Sequence, residues 1–225
     1  MDETVKFVVI VPAAGVGKRM GADCPKQYLT INGVSVLEHT VLGLLSHPQI
    51  NHVILSISNT DQYFRESHLY EHPDVTCVSG GKERVDSVLN GLYAVNQDEY
   101  PWVLVHDAAR PCITHQDISG LIKQCLAQHT GGILAMPVRD TMKRGAITST
   151  KQNLIVETVE REQLWHALTP QLYKTSLLIS AIESGLRQEL NITDESSAIE
   201  LANMASLIIP GSAENIKITH PDDLL

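Results

Sequence analysis

Apolar residues along the chain recur in two alternating patterns. Residues 5–11 form a nearly continuous, β-branched run, as a strand buried on both faces of a sheet requires. Across residues 35–46, Val36, Leu37, Val41, Leu44 and Leu45 recur at helical spacing and share one face. Short apolar runs at 53–57 and 75–78 predict the second and third strands. Residues 83–95 then gather Val85, Val88, Leu89 and Leu92 into a helical stripe. A fourth strand is expected at 102–105, a helix carrying Ile118, Leu121, Ile122 and Cys125 at 115–128, and a fifth strand at 131–136. Strand and helix alternating in this way imply a mainly parallel sheet covered by helices. The expected fold class is α/β, a single Rossmann-like domain over residues 1–225 with a twisted sheet.

The rhythm breaks after Pro137. Residues 138–161 carry no amphipathic helix and read as two extended polar strands, 139–147 and 153–161, with turns at Gly145 and at Thr148-Ser149-Thr150-Lys151. Such a hairpin cannot be covered by the domain's own core, so it reads either as a floppy insertion or, the sharper expectation, as a projecting β-arm that packs on a partner subunit and makes a homodimer. Helical patterns return at 174–186 and at 194–204, the second opened by Thr193-Asp194 as a cap. A strand at 208–209 and the segment 215–219 follow, and the stop at 221–225 falls where a closing helix is expected to begin. There is no internal repeat and no low-complexity stretch.

Composition narrows the function. A chain of 225 residues suits one α/β domain, leaves no room for a fused second enzyme, and needs no disulfide or metal staple. Its four cysteines, at 24, 77, 112 and 125, lack any Cys-x-x-Cys spacing and read as reduced thiols of a cytoplasmic protein. The first apolar run, 7–11, is too short for a signal-peptide core or a membrane span. Only two Trp, six Tyr and two Phe are present, too few for the stacking platforms that bind single-stranded nucleic acid. A net charge of −9 argues against non-specific DNA or anionic-membrane binding. A small anion responds instead to the local field, and one segment is locally basic.

That segment directly follows the first strand: Pro12-Ala13-Ala14-Gly15-Val16-Gly17-Lys18-Arg19-Met20-Gly21. Glycine and alanine let backbone N–H groups approach a phosphate closely. The dinucleotide fingerprint fails because Met20 stands at its third glycine, and the P-loop fails because Pro12 and Arg19 occupy its first and last places. What remains is a small-residue loop with three cations, Lys18, Arg19 and Lys26, against the single anion Asp23.

Pro12-Ala13-Ala14-Gly15-x-Gly17-x-Arg19-Met20, followed by Cys24-Pro25-Lys26-Gln27-Tyr28, closely resembles the 2-C-methyl-D-erythritol 4-phosphate cytidylyltransferase family of the non-mevalonate isoprenoid pathway. The resemblance continues, in order, through Gly80-Gly81-x-x-Arg84-x-Asp86-Ser87-Val88 and Val105-His106-Asp107-Ala108-Ala109-Arg110-Pro111. It extends through Pro137-Val138-x-Asp140-Thr141-Met142-Lys143, Leu164-Trp165-x-Ala167-Leu168-Thr169-Pro170-Gln171, Thr193-Asp194-Glu195 and Asn215-Ile216-Lys217-Ile218-Thr219, and so covers almost the whole chain.

The resemblance implies that the phosphate of methylerythritol phosphate attacks the α-phosphorus of CTP and that pyrophosphate leaves. Catalysis of such a transfer is mostly positioning and charge neutralisation. By resemblance the catalytic residues are Arg19, Lys26, Arg161 and Lys217, with Arg19 and Lys26 at the α-phosphate. Ala13, Ala14, Gly15, Gly81, Arg84, Ser87, Asp107 and Ala108 form the nucleotide pocket, and Asp107 is the Mg²⁺ ligand. Thr141, Arg161, Thr169, Thr193 and Lys217 meet the sugar-alcohol phosphate, and an arm crossing to a second subunit brings Arg161 or Thr141 to the neighbour's site. His106 is expected to be packed, because a phosphate nucleophile needs no general base.

Two other readings stand beside this one. Ribitol 5-phosphate cytidylyltransferases share the fold and the nucleotide loop, but the 139–143 and 164–171 segments favour methylerythritol phosphate by resemblance. A non-catalytic nucleotide-binding regulator does not need Arg19, Lys26, Asp107 and Lys217 together.

Overall fold

The computed structural model describes residues 5–15 and 24–224. β1 (Phe7–Pro12) is followed by a short ribbon, β2 (Thr30–Ile31) and β3 (Val34–Ser35). Asn32 and Gly33 turn the ribbon with φ of 52° and 83°, the left-handed conformation that an Asn-Gly hairpin turn supplies. α1 (Val36–Leu45) opens on a capping box in which Ser35 and Glu38 each accept the other's backbone N–H. β4 (Ile50–Ile57), β5 (Val75–Ser79), α2 (Arg84–Tyr93), β6 (Trp102–Val105), α3 (His115–Gln128) and β7 (Gly132–Pro137) continue the predicted alternation.

A hairpin of β8 (Met142–Ile147) and β9 (Asn153–Val159) comes next, then β10 (Trp165–Lys174), α4 (Thr175–Arg187), α5 (Glu195–Leu201) and β11 (Leu207–Pro210). Among the described residues no helix is long and apolar enough to cross a membrane.

Among the described residues, seven strands form one sheet in the order β11-β7-β10-β6-β1-β4-β5. All pairings are parallel except those of β10, which runs antiparallel to both β6 and β7. Side chains alternate across β1 as the pleat demands. Phe7, Val9 and Val11 meet Leu37, Val41 and Leu44 of α1 and Ile118, Leu121 and Ile122 of α3 on one face. Val8 and Ile10 meet Val88 and Leu92 of α2, Leu178 and Ile182 of α4 and Ala198 and Ile199 of α5 on the other.

β10 is the strand of the seven-stranded sheet that the apolar pattern does not announce. Its ladder with β7 shifts between Ala167 and Gln171, and Pro170 lies in that gap, where its missing N–H costs no pairing. From Gln171 to Lys174 it pairs with β6. The arm is also shorter than the expected 138–161: its ladder spans Met142–Ile147 and Asn153–Val159, with a shift between Arg144 and Gly145. Ile147 (75% exposed), Ile155 (70%), Val156 (60%) and Leu154 (56%) give it an apolar surface open to solvent.

Candidate active site

In an open α/β sheet, ligands collect beyond the carboxyl ends of the strands where the strand order reverses. Here the chain passes from β1 outward to β4 and β5, then returns to β6 on the other side of β1. A cleft of about 330 Å³ lies at this place, lined by the loop after β1, the start of α2, the loop after β6 and the segment near Lys217.

The loop after β1 is held from below. Gln27, 4% exposed, donates its amide to the carbonyls of Ala13 (2.7 Å) and Gly15 (3.0 Å). With those carbonyls engaged, the shape of the turn is fixed while its small residues face the cleft. Across from it, Gly80 passes so close to Ala14 that an added Cβ would lie 2.3 Å from the Ala14 Cβ. Ser87, 2% exposed, accepts from the Gly81 N–H (3.0 Å) and donates to the Glu83 carbonyl (3.2 Å), which sets the turn into α2.

Asp107 stands on the cleft floor, two residues past β6, and among the described residues three cations meet its carboxylate. Arg84 Nε is 3.2 Å from Oδ1, Lys217 Nζ is 2.8 Å from Oδ2, and Arg110 Nε is 3.4 Å from Oδ2. Burial works against ionisation of Asp107, but the Arg84, Lys217 and Arg110 charges prevail and hold it well below the usual carboxylate range. Arg110 also donates to the Asn215 carbonyl (2.7 Å), and Asn215 donates to the Thr169 carbonyl (2.7 Å). With the Ile218 N–H bonded to the Ala109 carbonyl (2.9 Å), these bonds lay the 215–219 segment along the cleft and place Lys217 over Asp107. Lys26 reaches the same segment, donating to the Ile218 carbonyl at 2.7 Å.

Beneath Asp107 lies a buried polar chain of fixed polarity. The Asp107 N–H donates to Thr169 Oγ1 (3.0 Å), which lies 3.0 Å from His106 Nδ1, and His106 Nε2 lies 3.0 Å from the Arg110 carbonyl. A carbonyl accepts only, so Nε2 carries the proton and Nδ1 accepts from the Thr169 hydroxyl. Burial pushes the imidazole down to about 4, so His106 is neutral at pH 7 and is a packed residue, as its sequence context predicts.

Of the residues expected at the site, Ala13, Ala14, Gly15, Lys26, Gly81, Arg84, Ser87, Asp107, Ala108 and Lys217 line this one cleft. Arg19 lies outside the described residues. Thr169 is buried under the floor, with its hydroxyl committed to His106 and Asp107. Thr141, Arg161 and Thr193 are exposed and do not line the cleft; the Arg161 guanidinium donates to the Arg139 carbonyl at the foot of the arm. Gln27, Arg110, Glu195 and Asn215 received no role from the sequence. Each is a buried polar residue beside a candidate residue, and that proximity is set by tertiary packing.

The family model described as IspD, 2-C-methyl-D-erythritol 4-phosphate cytidylyltransferase, matches residues 7–225. A protein of that name from Colwellia psychrerythraea is 64% identical over 100% of this chain and 94% of its own. One from Vibrio parahaemolyticus is 56% identical over 100% of this chain and 95% of its own. Among solved structures, the Francisella tularensis 2-C-methyl-D-erythritol 4-phosphate cytidylyltransferase superposes with a TM-score of 0.82 at 35% identity, covering 97% of this chain and 96% of that one.

Proposed function

The chain belongs to the 2-C-methyl-D-erythritol 4-phosphate cytidylyltransferase family, and on that premise we propose how its own residues carry the family's reaction. The reaction is transfer of the cytidylyl group of CTP to 2-C-methyl-D-erythritol 4-phosphate, with release of pyrophosphate, in the non-mevalonate isoprenoid pathway. The acceptor phosphate is already a nucleophile, so the protein's work is to bring two anions together and to spread the charge that develops.

The backbone at Ala13, Ala14 and Gly15 receives the triphosphate, and Gly81, Arg84, Ser87 and Ala108 hold the nucleoside. Lys26 bears on the α-phosphate, joined there by Arg19. Lys217, with Arg161 from the arm, takes the acceptor phosphate, while Thr141 and Thr193 meet the acceptor's polar groups and Thr169 fixes Asp107 from below. The observation that carries this reading is the convergence of Arg84, Arg110 and Lys217 on Asp107 at the switch point of the sheet. Mg²⁺ takes hard oxygens and commonly needs only one or two protein carboxylates, so a metal that arrives with a triphosphate fits at Asp107 where Lys217, 40% exposed, turns from the carboxylate to a phosphate. Asp107 is the residue that would hold it, and when bound it would neutralise charge on the transferring and leaving phosphates.

Thr141 and Arg161 sit at the foot of a hairpin with an exposed apolar surface, which supports a homodimer in which the arm of one subunit packs on another. A cytoplasmic location is part of the same proposal, supported by the pathway and consistent with free cysteines. The test is pyrophosphate release from CTP, Mg²⁺ and methylerythritol phosphate by the full chain, with ribitol 5-phosphate as competing acceptor. Methylerythritol phosphate is expected to have the higher kcat/KM; equal values for the two acceptors would overturn the acceptor assignment.

A further inference from the structure

Glu195 is the first residue of α5 and is 2% exposed. Its two carboxylate oxygens accept both prongs of the Arg84 guanidinium, Nη1 to Oε1 at 2.6 Å and Nη2 to Oε2 at 3.2 Å. Only the remaining Nε of Arg84 turns to Asp107. The position of Glu195 is itself built by neighbours. Asp194 caps α5 by accepting the Ser197 N–H at 3.0 Å. The carboxamide of Gln171, 1% exposed, donates to Asp194 Oδ2 (2.8 Å) and accepts the Ser196 N–H (2.8 Å). The first turn of α5 is thereby pinned to β10, the strand that pairs with β6 just below Asp107.

A guanidinium beside a carboxylate favours the two-pronged pairing, which gives parallel hydrogen bonds and the stronger contact. Arg84 has two carboxylates within reach and gives its fork to the one outside the cleft. Oδ1 of Asp107 consequently keeps a single donor from Arg84. We infer that Glu195 is a positioning residue: by holding the Arg84 fork, it keeps Asp107 from being closed by that arginine and fixes the Arg84 side chain in the wall of the nucleotide cleft. Glu195 is not among the cleft-lining residues and acts through Arg84.

This inference rests on the proposed nucleotide role of Arg84 and Asp107, and a double-mutant cycle separates the two. CTP affinity in the presence of Mg²⁺ is measured by calorimetry on the full chain for the wild type, E195Q, R84M and the double variant, with circular dichroism and thermal melting in parallel. E195Q alone is expected to weaken CTP binding about tenfold, within the coupling seen between residues of one ion-pair network, and to add less than about twofold in the R84M background. The E195Q loss should also shrink when Mg²⁺ is replaced by EDTA, a dependence that a purely structural contact would not show. E195D, which keeps the charge but shortens the reach, is expected to lose less than E195Q; it carries the test if E195Q does not fold. Wild-type affinity in E195Q, or the same loss repeated in the R84M background, overturns the positioning role while leaving the site intact. Wild-type affinity in R84M overturns the site reading and this inference together.

Discussion

Lys217 and Asp107 are joined at 2.8 Å across the cleft, and the lysine side chain is 40% exposed while the aspartate is 10% exposed. Of the three cations on Asp107, Lys217 has the most freedom to leave it. Arg110 is tied to Asn215 and Arg84 to Glu195. An exposed ammonium on a flexible stem suits a group that meets an incoming phosphate. K217M is accordingly expected to lower kcat/KM for methylerythritol phosphate by about 100-fold, the scale of losing one aimed charge in a transition state. CTP affinity, measured by calorimetry, should change less than about threefold, a split on the scale of losing a contact made mainly to the second substrate. An equal loss on both substrates would contradict the assignment.

Gln27, which also borders the cleft, grips the backbone of the loop after β1 through the Ala13 and Gly15 carbonyls. Q27L keeps the volume but leaves the Ala13 and Gly15 carbonyls without their donor, at a cost of about 1–3 kcal/mol for buried groups. The expected result is a rise of about tenfold in KM for CTP, on the scale of one or two lost hydrogen bonds, with KM for the acceptor little changed. Steady-state kinetics with each substrate varied in turn reads this out.

Glu38 ties α1 to the 67–68 turn. Its carboxylate accepts from the Ser35 N–H and Oγ, from Ser67 Oγ and from the His68 N–H. Burial works against its ionisation, but these hydrogen bonds outweigh it and bring the group down to about 2 from the ordinary 4.5. The folded value lies below the unfolded one, so this contribution is fully present above pH 4.5 and is lost as the pH falls through about 2. At pH 7, E38Q should be less stable than the wild type by on the order of 2 kcal/mol in urea unfolding. The gap should narrow steadily between pH 4.5 and 2; a gap independent of pH would show that the charge does not matter.

The arm exposes Ile147, Leu154, Ile155 and Val156, and an apolar strand pair left in water is an association surface. Light scattering of the full chain should give a dimer, and I155D should shift it toward monomer. A wild-type protein that stays monomeric at micromolar concentration would refute the arm as a dimer contact. If Arg161 and Thr141 serve a neighbouring site, I155D should also lose activity on dilution faster than the wild type does.

The sheet was readable in the sequence wherever burial on both faces left an unbroken apolar run, as in β1, β4 and β6. Helices were readable where one stripe repeats, and α3 lies at the predicted residues 115–128. β10 was not, because Pro170 and the polar residues around it erase the period of a central strand. The two-residue strands β2 and β3 are too short to make any period, although the Asn32-Gly33 turn stands openly in the sequence. Lys26, Asp107 and Lys217 were named through the family resemblance, and the structure brings the three to one cleft. Glu195 and Gln27 were given no role, since what a buried polar side chain holds depends on residues 111 and 12–14 positions away.

The place of β10 between β6 and β7 sets an order on synthesis. A nascent chain can assemble β1, β4, β5 and β6 once residue 105 has left the ribosome, because these strands pair with one another and only the outer edge of β6 waits for β10. β7 has no partner among them. It must wait, apolar and unpaired, while the arm and then β10 emerge, and β11 can dock only on β7 afterwards. The floor under Asp107 is sealed in the same step, since Thr169 arrives with β10. A protein interrupted before Trp165 therefore has the loop after β1 but an incomplete floor under Asp107, and a sticky sheet edge for chaperones to guard.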